Sequence, residues 1–78
     1  MQIAEHSVLL LAERDYMYGA GSLILRVGRV VLDVPISYED EPWYFVHGTR
    51  LGREGRELGE CMVVVRGDRL ARAGLVPR

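Results

Sequence analysis

The sequence predicts an all-β domain, a small barrel of about five strands, and three observations carry this prediction. The first is a long stretch, Ser22 to Val34, in which apolar and polar residues alternate as in a strand with one buried face. The second is a slip in the phase of that alternation at Gly28. The third is a series of further apolar runs of strand length, each bounded by glycine, proline or charged residues.

The phase slip predicts a bend in the middle of the second strand. The apolar series is Leu23, Leu25 and Val27 before the slip, and Val30, Leu32 and Val34 after it. One extra residue near Gly28 keeps both series on one face, which is what a β-bulge does. We therefore expect Gly28 or Arg29 to interrupt the ladder. The side chains expected to be buried around it are Leu25, Val27, Val30 and Leu32.

The first half of the chain supplies three of the predicted strands. Ser7–Glu13 (SVLLLAE) is predicted to form the first strand, because the glycine-rich residues 16–21 (YMYGAG) break its pattern at once. The long bent strand follows. Pro35 and Pro42 then bracket an acidic loop, ISYEDE, and Pro42 marks the start of an aromatic, β-prone strand.

The second half predicts a hairpin, a single helical turn and a closing strand. Residues 51–58 form a polar loop with two glycines, and residues 60–65 alternate as a strand. Asp68 is expected to cap one turn of helix that runs to Arg72. A last short strand at Leu75–Val76 completes the fold.

Length and composition predict one ordered domain, 1–78. A chain of 78 residues, 49% of them hydrophobic, is near the lower limit for a core that folds alone, so association would help it. The single cysteine, Cys61, cannot form an internal disulfide. The N-terminus has no basic leader, and its apolar run Val8–Ala12 is too short to span a membrane. We expect a soluble, cytoplasmic protein that does not bind membranes.

The charges are distributed unevenly along the chain. Residues 1–45 carry three arginines and seven acidic residues, whereas residues 46–78 carry seven arginines and four acidic residues. The chain as a whole has a net charge of −1. Such an asymmetry can steer partners or favour self-association.

The order and length of these elements resemble the SH3-like small barrels over residues 7–76. Trp43-Tyr44 opens the third strand much as a tryptophan pair does in peptide-binding SH3 domains, and Tyr16 and Tyr18 lie in the first loop as aromatics do there. Two features depart from that family. The first loop is short, and Val65-Arg66-Gly67-Asp68 replaces the proline-tyrosine segment that precedes the one-turn helix. The resemblance therefore implies the barrel but not recognition of proline-rich ligands.

Aromatic residues are the leading candidates for a binding surface. Three adjacent strand residues, Trp43-Tyr44-Phe45, cannot all enter one core, because successive side chains point to opposite faces. Either Tyr44 faces outward, or Trp43 and Phe45 do. An exposed aromatic surface favours binding, although Tyr44 would equally serve as a cover for one barrel end. The candidate partner-binding residues are Tyr16, Tyr18, Trp43, Tyr44 and Phe45.

Arginines suggest a second kind of surface. The candidates for binding an anion are Arg50, Arg53, Arg56, Arg66 and Arg69. With aromatic residues they would suit single-stranded nucleic acid. However, Glu54, Glu57 and Asp68 lie within the same clusters and dilute the positive potential that nucleic-acid binding needs. Nucleic acid is therefore the less favoured partner.

Catalysis has the least support. Cys61, His6 and His47 show no recognised metal-ligand spacing, and Cys61 occupies a strand position expected to be buried. We expect no enzyme activity, no metal and no cofactor. The hypothesis is a small protein-interaction module, a homo-oligomer or an accessory subunit of a larger assembly, that binds another protein or further copies of itself. The alternatives are a nucleic-acid-binding barrel and a minimal enzyme or ligand carrier that uses His47 or Cys61.

Overall fold

The computed structural model describes residues 7–77, and its main element is one antiparallel sheet whose strands follow chain order. The elements are β1 (Val8–Leu11), β2 (Leu23–Tyr38), β3 (Glu41–Leu51), β4 (Glu57–Arg66) and α1 (Gly67–Arg72). Single 3-10 turns lie in the connections, at Glu13–Asp15 and Arg53–Gly55. The all-β prediction is confirmed, and the sheet curls into a half-barrel.

The curl begins at the predicted bulge in β2. Val27 pairs with Gly48 and Arg29 pairs with His47, so Gly28 is an extra residue on β2. This confirms the interruption predicted from the phase slip. Such a bulge bends its strand and increases the local twist. Within residues 7–77, the first half of β2 pairs with both β1 and β3, and the second half pairs with β3 alone.

Gly48 allows the two strands to approach closely at the bend. A Cβ at position 48 would lie 2.4 Å from the Arg26 carbonyl O and 3.0 Å from Leu25 Cδ1. At Gly28 the nearest atom to such a Cβ is the His47 carbonyl O, at 3.3 Å. Position 48 on β3 therefore has no room for a Cβ. Position 28 on β2 has almost enough room for one.

The core lies on the concave face of the sheet. Its buried side chains are Leu9, Leu11, Leu23, Leu25, Val27, Val46, Val65, Leu70 and Val76. The predicted burial is correct for Leu25 and Val27, but Val30 is half-buried and Leu32 is 49% exposed. Burial of Leu32 was therefore a wrong prediction. Within the described residues β1 does not pair with β2 beyond Val27. β1 therefore does not cover the residues of β2 that follow Val27.

β2 is longer than its alternation predicts. It continues through Pro35 to Tyr38, so the predicted acidic loop is reduced to a turn at Glu39 and Asp40. Both turn residues have positive φ, 53° and 64°, as in the tight turns that close twisted hairpins. A second irregularity precedes this turn: residues 32–35 of β2 lie opposite Tyr44 alone.

The C-terminal residues close one end of the core without forming a strand. Leu75 and Val76 lack the predicted strand pairing, so the described residues contain four strands rather than five. α1 ends in two bonds, from Leu75 N to Leu70 O at 2.9 Å and from Gly74 N to Ala71 O at 3.0 Å. These bonds form a Schellman motif with positive φ at Gly74, and they turn Val76 back onto the core.

Asp68 does not cap this helix, contrary to the expectation from the sequence. The N-cap position is Arg66, and no side chain caps it. Asp68 instead lies 3.2 Å from Arg72 Nε, one helical turn later, in a pair that is half exposed at both side chains. Neither this helix nor any other helical segment in residues 7–77 has the length and apolarity needed to cross a membrane.

The close approach at Gly48 predicts an unequal pair of glycine substitutions. Gly48→Ala forces its Cβ into backbone atoms and should lower the free energy of unfolding by about 1–3 kcal/mol. Gly28→Ala, the matched control one strand away, should lower it by less than about 1 kcal/mol. Urea unfolding of both variants measures the difference. Equal losses would contradict the role assigned to Gly48.

Candidate functional site

The aromatic triplet on β3 is divided between the two faces of the sheet. Tyr44 is paired with Val65 and packs against the core. Phe45 is paired with Val64 on the opposite, convex face. Trp43, two residues before Phe45, shares that convex face.

A groove of about 810 Å³ crosses this convex face. β2 and β3 form one side of it, the loop after β1 forms the other, and β4 lies between them. Most of its side chains are aromatic or aliphatic. Its lining residues include Tyr16, Met17, Tyr18, Ile36, Tyr38, Trp43, Phe45 and Val64, with Glu13, Arg14, Glu39 and Arg66 adding charge.

Trp43 is the fixed part of the groove. Only 3% of it is exposed, although it lies on the face opposite the core. Its indole Nε1 donates to the Tyr38 carbonyl O at 3.0 Å, and the Tyr38 ring meets it edge-on at 5.5 Å between centroids. The Arg66 guanidinium lies 5.6 Å from the indole centroid, within the range of a cation–π contact. These neighbours make Trp43 one wall of a preformed surface rather than a mobile anchor.

The loop after β1 is held by hydrogen bonds to β4 and to itself. Met17 N donates to Val64 O at 2.9 Å, which fixes the loop beside the edge of β4. The Tyr16 hydroxyl donates to Gly21 O at 2.9 Å and closes the loop on itself. The groove wall that this loop forms is therefore ordered before any ligand arrives.

Asp15 anchors the start of the same loop. It is only 8% exposed, and its Oδ2 accepts a hydrogen bond from Ala12 N at 2.8 Å. The Arg69 Nε of α1 lies 3.9 Å from that oxygen. A buried carboxylate with an arginine partner thus ties the loop to the helix.

Tyr18 lies at the rim of the groove, and both its exposure and its backbone conformation are unusual. It is fully exposed, at 100%, and its backbone φ is 60°, in the left-handed region. Residues other than glycine, asparagine and aspartate seldom adopt this conformation, which costs roughly 1 kcal/mol or more. Neither burial nor local propensity accounts for a large aromatic at this position.

The charges around the groove are mixed. Two acidic and two basic side chains line it. Arg66 Nε lies 3.6 Å from Glu41 Oε2, too far for a hydrogen bond, and this buried nitrogen has no hydrogen-bond partner among the described residues. The groove therefore lacks the concentrated positive potential that a phosphate backbone requires.

The structure separates the five candidate anion-binding arginines. Arg50, Arg53 and Arg56 are exposed around the β3–β4 connection. Arg66 and Arg69 lie at the other end of the ten-residue β4, where they face Glu41 and Asp15. The two groups are roughly 30 Å apart along an extended strand and do not form one patch.

His47 and Cys61 are not brought together either. They occupy adjacent registers, His47 opposite Met62 and Gly48 opposite Cys61, so their side chains point to opposite faces. His47 is exposed, and Cys61 is half-buried against the core. His6 lies outside the described residues. Among residues 7–77, no three histidine, cysteine or acidic side chains are grouped as metal ligands would be.

Comparisons with protein-family models, with curated proteins and with solved structures found no match for this chain.

The structure brings four of the five aromatic candidates to this groove, namely Tyr16, Tyr18, Trp43 and Phe45, while Tyr44 lies on the core side. Sequence reasoning missed Ile36, which it assigned to a loop. It placed Tyr38 in the same loop, near the aromatic triplet, but not among the candidate residues. It also missed Asp15, although an acidic residue three positions after the end of an apolar strand run is a usable signal for a turn closed by a side chain.

The position of Asp15 predicts that Asp15→Ala will weaken the fold and the loop together. Removal of its carboxylate leaves Ala12 N without its acceptor and Arg69 beside a gap, so the free energy of unfolding should fall by about 1–3 kcal/mol. The exposed Asp68 provides the control, and Asp68→Ala should change stability by no more than about 0.5 kcal/mol. Thermal unfolding of both variants is the measurement. A loss at Asp15 no larger than at Asp68 would show that the loop is held by other contacts.

Proposed function

We propose that this protein is a small protein-interaction module whose convex-face groove binds an extended, apolar segment of a partner protein. One observation carries the proposal: Tyr18 is held fully exposed, in a strained backbone conformation, at the rim of an aromatic groove. Strain that persists at an exposed side chain is characteristic of binding and catalytic sites. A role as one subunit of a larger assembly fits the same surface.

The groove is suited to a peptide-like ligand. Its walls are ordered by backbone and side-chain hydrogen bonds, so a ligand need not supply the free energy of ordering them. Aromatic side chains that line a groove give large contact area at low conformational entropy. The aliphatic Ile36 and Val64 add apolar surface between the aromatic walls.

Nucleic acid remains the alternative ligand, and it has less support. Stacking on Tyr18 and Tyr38 would suit single-stranded bases. The balanced charge of the groove and the split arginines oppose it. Binding that falls steeply as salt rises would identify this alternative.

Selection from a displayed library of random peptides, roughly ten residues long, tests the proposal directly. We expect the enriched peptides to share at least two apolar side chains. Tyr18→Ala should weaken their binding about tenfold or more, with folding unchanged, because this side chain makes no buried contact in the free protein. Leu10→Ala is the matched control, since Leu10 is 64% exposed on β1 and does not line the groove. Failure to enrich any peptide, or equal binding by Tyr18→Ala, would contradict the proposal.

A second substitution at the same position separates binding from stability. Tyr18→Gly removes the side chain and also relieves the left-handed strain, because glycine adopts positive φ without a steric penalty. This variant should match or exceed the wild-type free energy of unfolding by up to about 1 kcal/mol and still lose peptide binding. Retained binding would show that the tyrosine ring is not part of the contact.

A further inference from the structure

Within residues 7–77, the second half of β2 has one edge without a partner strand. Backbone N–H and C=O groups of a strand point alternately toward its two neighbours. Val27 N donates to Ser7 O at 2.8 Å, on the β1 side. The extra residue Gly28 reverses the alternation, so Arg29 and Val31 point toward their partners on β3. Val30 then points away from β3, and the same alternation continued past Val31 directs Leu32 the same way. Within residues 7–77, no segment pairs with β2 on that side beyond Val27.

This edge carries apolar side chains that are exposed to solvent. Leu32 is 49% exposed and Val34 is 57% exposed. Residues 29–34 contain no proline and no lysine, which natural edge strands use to prevent pairing. An unpaired, β-branched edge of this kind is a template for another strand.

The charges on the edge are complementary to themselves. Arg29 and Asp33 lie two residues either side of Val31, and both are exposed. In an antiparallel pair related by a two-fold axis at Val31, Arg29 of each copy faces Asp33 of the other. Opposite charges directly across an antiparallel pair stabilise it. An axis at Val30 would instead place Arg29 opposite Val31, and an axis at Leu32 would place it opposite Pro35.

The backbone groups fit the same register. With the axis at Val31, Val30 of one copy lies opposite Leu32 of the other. These are the two residues whose N–H and C=O groups point to the open edge, so they can exchange hydrogen bonds across the axis. Backbone direction is compatible with this register, and the charges select it from the registers that backbone direction allows.

We propose that the protein forms a two-fold symmetric dimer by antiparallel pairing of residues 29–33 of β2 from two copies. The occupant of the edge is a second copy of this chain, and the closed symmetry stops growth at two. The contact is short, so the dimer is weak, with a dissociation constant in the micromolar range. It uses a different surface from the aromatic groove and does not depend on the function proposed for that groove.

Sedimentation of the full chain from about 1 µM to about 1 mM tests for the dimer. Arg29→Asp and Asp33→Arg each place like charges opposite each other, twice per dimer, and each should raise the dissociation constant about tenfold or more at low salt. The double reversal, Arg29→Asp with Asp33→Arg, should restore the wild-type constant within about threefold. Both residues are exposed and make no ion pair within the described chain, so far-UV circular dichroism should show unchanged folding.

Mixing the two single variants gives the sharpest result. In a mixed dimer, the reversed charge at position 29 of one chain faces the reversed charge at position 33 of the other. The native Asp33 and Arg29 also face each other, so both pairs are attractive again. The mixture should therefore form dimers where neither variant does alone.

Two results would overturn the proposal. A wild-type chain that stays monomeric over this concentration range contradicts it, whatever else covers the edge. A dimer that survives both single reversals, or that the double reversal does not restore, places the contact elsewhere and also overturns it.

Discussion

The bend in β2 at Gly28 is the constraint on which the rest of this structure depends. Beside it on β3, Gly48 lies opposite Val27, where a Cβ would collide with the Arg26 carbonyl O. Before the bend β2 pairs with β1 and β3, and after it β2 pairs, within the described residues, with β3 alone. The resulting curl brings the loop after β1 to the edge of β4, where Met17 N bonds to Val64 O. Both the closed core and the groove on the other face follow from that contact.

Local alternation predicted the features that depend on neighbouring residues only. A change of phase within one strand is visible in sequence, so the bulge at Gly28 could be predicted. The exposure of Leu32 could not, because it depends on where β1 stops covering β2. The prediction of a closing strand at Leu75–Val76 was wrong for a related reason. The Schellman turn after α1 directs these residues toward one end of the core rather than along a strand.

In the candidate site, too, the local pattern predicted some features, whereas others depend on contacts with distant strands. Strand geometry required Tyr44 to face away from Trp43 and Phe45, and the structure has this arrangement. The alternation could not predict that Trp43 would be buried on the convex face, because its cover comes from Tyr38 and Arg66, on two other strands. Nor could it identify Tyr18 as the distinctive residue. The strain at that position is a property of the loop's closure by the Tyr16 hydroxyl and by β4, which no local pattern encodes.

The irregular segment of β2 between Val31 and Ile36 separates the edge around Val31 from the part of β2 that lines the groove. Four residues of β2 lie there opposite one residue of β3, an excess contour of about 10 Å at the usual rise per residue. The edge around Val31 and the pairing of Ile36 with Trp43 lie on opposite sides of this segment. The two surfaces that share this strand therefore have separate registers with β3.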